Sequence, residues 1–200
     1  MIFQSTCSGC GAQIHSVCIA CRQALVESMV NQVPGAPESV VYAVAYSGRV
    51  RNLILGLKYR NERATSRLLA EVLVHRLDVD VRNADVVTWA PTSAQRRRQR
   101  GHDQAELIAR AVARRIHKPC RSLLVNESIA TQTGADRAQR LCAPHFRGRR
   151  CRRYQHVMVI DDVVTTGATL RAAAHALCVA GASRVSAVAV AATPALESRR

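Results

Sequence analysis

The run Val157-Met158-Val159-Ile160-Asp161-Asp162-Val163-Val164-Thr165-Thr166-Gly167-Ala168-Thr169 constrains this chain more than any other stretch. Four apolar residues (157–160) read as a buried strand, two adjacent acids end it, and Thr-Thr-Gly leads into an alanine-rich helix over 168–180 capped by Gly181. In a parallel sheet the carboxyl ends of strands open onto a crevice where ligands bind. A helix N-terminus beside such an end offers unpaired N–H groups and the positive end of a dipole. Gly167 lets the backbone approach an anion closely, while Thr165, Thr166 and Thr169 add hydroxyl donors. Asp161 and Asp162 are placed to accept hydrogen bonds from a vicinal diol or to face Mg²⁺. A phosphate beside a diol outlines a ribose 5-phosphate. An ordinary helix cap needs one acid and one threonine, and this segment exceeds that need. A Walker B strand also ends in acids, but the chain has no G-x4-G-K-[ST] run, which argues against a P-loop ATPase.

The remaining pattern alternates strands with helices. SVVYAVAY (39–46) predicts a strand, RVRNLILGLKY (49–59) a helix with Leu53, Ile54 and Leu57 on one side, and TSRLLAEVLVHRL (65–77) a second amphipathic helix. ADVVTWAP (84–91) predicts a strand stopped by Pro91. A basic loop, a helix over 103–116 and a last strand in SRVSAVAVAATP (183–194) complete the series. VESMV (26–30) reads as a short helix before a linker holding Pro34, Gly35 and Pro37, and residues 117–156 show little periodicity. The expectation is an α/β fold, a mostly parallel sheet flanked by helices.

Four of the eight cysteines form Cys7-x2-Cys10 and Cys18-x2-Cys21. Two such knuckles make a tetrahedral site of four thiolates suited to structural zinc, with Gly9 and Gly11 supplying backbone freedom. Disulfides suit an oxidising compartment, and a thioredoxin-type pair would open a helix inside a βαβ unit. The chain starts without the basic and apolar regions of a secretory signal, and it has no run of about 18 apolar residues. A cytoplasmic protein with no membrane span is therefore expected. Residues 1–24 read as a four-cysteine zinc-binding module and 38–200 as the main domain. Cys178, on an apolar helix, is expected in the core.

A net charge of +15 favours anionic partners, either phosphates, nucleotides or nucleic acid. Arginine carries it, since Lys58 and Lys118 are the only lysines. RRRQR (96–100) holds four arginines, and residues 137–153 hold seven with no acid. Aromatics that could stack on bases are few: Tyr42, Tyr46, Tyr59, Trp89, Phe146 and Tyr154.

VMVIDDVVTTGATL resembles the phosphoribosyl pyrophosphate (PRPP) signature of type I phosphoribosyltransferases. The order of the cysteine module, YSGRVRNLILGLKYRNER, WAPTSAQRRRQRGHDQAELIARAVA, TQTGADRAQR and that signature resembles the ComF family of competence-associated, phosphoribosyltransferase-like proteins. The resemblance runs from Cys7 to about Pro194. It implies a phosphoribosyltransferase-like main domain that uses Mg²⁺ with PRPP. Asp161 and Asp162 would serve the ribose hydroxyls, as the residues most involved in catalysis. Thr165, Thr166, Gly167, Ala168 and Thr169 would cradle the 5-phosphate. Ala90, Pro91, Thr92 and Ser93 would meet the pyrophosphate, neutralised by Lys58, Arg60, Arg98 and Arg100. Gln132, Arg137 and Arg140 match a family segment without an assigned role. Where the family has R-G-F-N-Q this chain has Arg100-Gly101-His102-Asp103-Gln104, and the family's asparagine after Arg140 is absent; both departures fall on the acceptor side. The resemblance also implies handling of single-stranded DNA beside a helicase-like competence partner, and many transferases of this fold are homodimers. A chain that senses PRPP, or binds DNA, without catalysis is the alternative to phosphoribosyl transfer.

Overall fold

A computed structural model describes residues 6–14, 17–60, 63–127 and 145–194. The chain begins with α1 (Ile19–Glu27), β1 (Val40–Ala45), α2 (Gly48–Arg60), α3 (Arg63–Arg76), α4 (Val79–Arg82) and β2 (Val86–Trp89). After them come α5 (Ala94–Arg100), α6 (Gln104–Arg115), β3 (Leu124–Asn126), β4 (Phe146–Gly148), β5 (His156–Val164), α7 (Ala168–Val179) and β6 (Arg184–Ala192). The parallel sheet runs β1-β6-β5-β2, and β3 with β4 forms a separate antiparallel pair.

Side chains alternate across a strand, so a sheet covered on both faces divides its apolar residues between two cores. Met158, Ile160, Val188, Val190, Val87 and Trp89 join the core under α1, α2, α3 and α6. Val157, Val159, Ala189 and Val86 join the opposite core, built on Leu170, Ala173 and Leu177 of α7. Leu53, Ile54 and Leu57 of α2 are fully buried, as their spacing predicts.

Some elements differ from expectation. The 96–100 segment is helical in α5, because Ser93 caps it and Gly101, at φ 74°, ends it; none of its residues is buried. Nothing in its pattern announces this helix, since it has no apolar face. β5 continues through both aspartates to Val164 because β6 stays paired with it that far. Helix α1 spans Ile19–Glu27 rather than 26–30. The stretch after it packs down: Met29 bridges to Val44, Val33 is buried, and the Val33 N–H donates to the Tyr42 hydroxyl at 2.6 Å. Cys178 is exposed, not in the core; α7 turns Ala173, Ala176 and Leu177 inward instead. Cys151 is the buried cysteine on that side, its Sγ 3.4 Å from the Leu177 carbonyl oxygen. Ala180 is the C-cap of α7 and Gly181, at φ 105°, follows it. The Gly181 N–H donates to Cys178 and the Ala182 N–H to Leu177, a Schellman closure. No helix among the described residues is long and apolar enough to cross a membrane.

Candidate functional site

Helix α6, which follows β2 and the short α5, packs on one face of the sheet with α3, while α7, after β5, packs on the other. β2 and β5 are neighbours, so their carboxyl ends form the switch point at which a crevice opens. The β2 pairing stops at Trp89 opposite Ile160, with one further bond from the Ala90 N–H to the Ile160 carbonyl. Beyond it, Asp161–Val164 keep β6 on one edge and face the crevice with the other.

Two cavities meet there. A small one, about 80 Å³, is enclosed by the Thr165–Thr169 loop with Asp161 and Val163 at its floor. A wider cleft, about 270 Å³, continues from Asp161, Asp162, Val163 and Thr169 to Pro91 and Thr92 on the opposite wall. Asp161, Val163 and Thr169 belong to both, so the two form one elongated site. Asp161 and Asp162 are half-buried. Each holds the backbone N–H of the next residue at 2.8 Å through Oδ1. Gly167, at φ 74°, is the N-cap of α7 and supplies no side-chain cap; the Ala168 N–H meets Thr166 Oγ1 at 3.4 Å, and the helix N-terminus borders the small cavity, where an anion suits it.

The opposite wall is tightly held. Pro91 accepts from Asn126 Nδ2 at 2.8 Å, and the Thr92 N–H donates to Asp103 Oδ2 at 2.7 Å. Ser93 is engaged in capping α5. Arg96 and Arg100, one turn apart, line the cleft. Arg98 does not: it lies about 200° round the helix from Arg96 and is exposed. Lys58 and Arg60 lie on α2 with side chains outside the described residues, as are Gln132, Arg137 and Arg140 altogether.

Sequence reasoning missed Arg96, Asp103, Gln104, Asn126 and Phe146 as cleft residues. The signal for Asp103 was its place before an amphipathic run: it caps α6 through the Ala105 N–H at 3.1 Å. Burial raises its pKa, while amide N–H groups of Thr92, Glu106 and Ala105 pull the other way. His102, in the same family departure as Asp103, contacts the Leu57 carbonyl oxygen through Nε2 at 2.9 Å and so ties the α5–α6 junction to α2.

At the far end of the chain Cys7, Cys10, Cys18 and Cys21 bring four Sγ atoms within 4.8 Å of one another. A tetrahedral zinc–tetrathiolate site places sulfurs about 3.8 Å apart, so modest tightening closes the shell. Burial pushes the Cys7 thiol up, yet backbone N–H groups of Cys18, Gly9 and Cys10 bring it down to about 6. Cys21 moves up, through burial and the three neighbouring sulfurs. A metal ion would draw all four into the thiolate form, and the cluster is one that could hold it. Gly11 has φ 80°, as a knuckle requires, whereas Gly9 answers to space: a Cβ there would stand 2.5 Å from Cys21 Sγ. The cluster is joined to the domain rather than hung from it. A Cβ on Gly56 of α2 would run into Ser8 Cβ, Asn52 Nδ2 donates to the Gly9 carbonyl at 3.2 Å, and Cys7, Cys21 and Leu25 belong to the main core.

A family model described as a phosphoribosyl transferase domain matches residues 102–200. The chain is 28% identical over 191 residues to the DNA utilization protein YhgH of Escherichia coli (strain K12), covering 91% of this chain and 82% of that protein. It is 28% identical over 190 residues to the competence protein ComFC of Bacillus subtilis (strain 168), covering 82% and 78%. Among solved structures it is similar to orotate phosphoribosyltransferase from Aeropyrum pernix, at 16% identity and a TM-score of 0.42, over 72% of this chain and 76% of that one.

Proposed function

We propose that this chain, which belongs to the ComF family of phosphoribosyltransferase-like proteins, binds PRPP or a related ribose 5-phosphate in the cleft between β2 and β5. The continuity of the cleft carries the reading: an anion-sized cradle and a wider chamber share Asp161, Val163 and Thr169. In this reading the Thr165–Thr169 loop takes the 5-phosphate, Asp161 and Asp162 take the ribose hydroxyls, and the Ala90–Ser93 loop with Arg96 and Arg100 takes the pyrophosphate. Mg²⁺ would supply neutralisation of the pyrophosphate as a leaving group, and the aspartates are the hard oxygen donors it favours. Departure of pyrophosphate leaves cationic character on the ribose, which the two carboxylates below it are placed to stabilise. The four cysteines would hold zinc as a structural ion. None of the described cysteines is in a disulfide, and a reducing cytoplasm is part of the proposal.

Calorimetric titration with PRPP, with and without Mg²⁺, tests the proposal. Saturable, Mg²⁺-dependent binding is expected, and no heat at millimolar PRPP sinks it.

A second reading, contact with single-stranded DNA, has its own support. Helix α5 buries no residue and turns Arg97 and Arg98 away from the cleft, and Arg149, Arg150, Arg152 and Arg153 are all exposed. Such a surface suits phosphodiester contacts, in keeping with the DNA utilization and competence names of the relatives. A helicase-like partner and a homodimer are further parts of the proposal, drawn from the family resemblance.

A further inference from the structure

Arg171 stands one turn into α7 and does not line the small cavity, yet its side chain turns back over the loop that encloses it. Its Nη1 donates to the Thr166 carbonyl oxygen at 2.6 Å, while its backbone N–H closes the first turn on the Gly167 carbonyl at 2.8 Å. The guanidinium passes directly over Gly167: a Cβ built there would lie 3.0 Å from Nη1, and also 3.0 Å from Pro37 Cγ. The space over the glycine is tight, and its φ of 74° is what requires glycine there. The first turn of α7 carries no acid that would compete for this cation.

A peptide beside a glycine rotates readily, and the Thr166–Gly167 peptide sits at the apex of the anion loop. Turned inward, its carbonyl would present negative charge to a bound phosphate. A charge-assisted hydrogen bond is roughly twice as strong as a neutral one. Arg171 directs one at that carbonyl, from outside the cavity, and so keeps the oxygen away from the anion. It also stations a full positive charge behind a helix end equivalent to about half a charge.

We infer that Arg171 is a positioning residue of the cradle, which sets affinity for the phosphate end of the ligand by holding the Thr166 carbonyl outward. The inference rests on the ribose-phosphate reading above. Its test compares Arg171→Met and Arg171→Lys with the wild type in titrations with ribose 5-phosphate and, separately, with Mg²⁺-pyrophosphate, which probes the other end of the cleft. Arg171→Met should weaken ribose 5-phosphate about tenfold and leave Mg²⁺-pyrophosphate unchanged, with Arg171→Lys in between. Unaltered ribose 5-phosphate binding in Arg171→Met overturns the inference and spares the reading. Equal loss of both ligands also overturns it, because it signals general structural damage. A wild type that binds no ribose 5-phosphate overturns the reading, and the inference falls with it.

Discussion

Asp103 holds Thr92 in place across the cleft wall: Oδ2 accepts the Thr92 N–H at 2.7 Å, while Oδ1 caps α6 through Ala105. One buried carboxylate therefore anchors both a helix and the loop assigned to pyrophosphate. Asp103→Ala should cost about 1–2 kcal/mol, the usual cost of a lost N-cap, and weaken Mg²⁺-pyrophosphate binding. The pH dependence has a definite sign. Burial raises the folded pKa, so the titration of this group contributes stability that is fully present below its unfolded value near 3.8 and is lost as pH rises through the folded value. The deficit of the variant, read by urea denaturation, should be largest in acid and narrow toward neutrality. A deficit that widens with pH would mean the carboxylate is stabilised by its amide donors more than burial disfavours it.

Asp161→Asn combined with Asp162→Asn keeps an Oδ1 acceptor for each of the two 2.8 Å bonds to the following N–H, so the strand end should survive. Only the charge is lost. Mg²⁺-dependent PRPP affinity should drop about a hundredfold with little change in Tm. Unchanged affinity would remove both aspartates from the ligand site.

Metal analysis of the purified protein should find one equivalent of zinc, absent after Cys18→Ser with Cys21→Ser. Because Cys7, Cys21 and Leu25 share the main core with α2 and α3, stripping the metal should also lower Tm by roughly 5 °C or more. Chelation that leaves Tm where it was would make the cluster an appendage instead of a part of the core.

Arg149→Glu with Arg150→Glu should weaken binding of a single-stranded oligonucleotide while leaving PRPP titrations alone. If each arginine meets one phosphate, the slope of log K against log salt should become shallower by about 1.4. A slope that stays flat in the wild type would count against phosphate contacts anywhere on the molecule.

Local rules made much of this legible. Cys-x2-Cys spacing, the DD-V-V-T-T-G-A-T signature and the 3.6-residue period of α2 and α3 all act between residues a few positions apart. Helix α5 escaped because it has no apolar stripe, only a capping serine at Ser93 and a terminating glycine at Gly101. The sequence points to Arg98 rather than Arg96 because a loop has no faces, whereas a helix sends residues two apart to opposite sides. It points to a buried Cys178 because apolar residues dominate α7 outside Thr169, Arg171 and His175, and burial is set by which stripe meets the sheet.

By itself the sequence determined the four strands of the parallel sheet, the helices that carry an apolar stripe, the Thr-Thr-Gly loop after β5 and the cysteine quartet, since neighbouring residues decide each of these. Only the tertiary structure decided that β2 lies beside β5 and that their helices leave to opposite faces. That arrangement joins Thr92, Arg96 and Arg100 to Asp161 and Asp162 in one cleft. Strand order is chosen by which apolar faces can be buried together, here between residues about seventy positions apart, and no local pattern carries that choice.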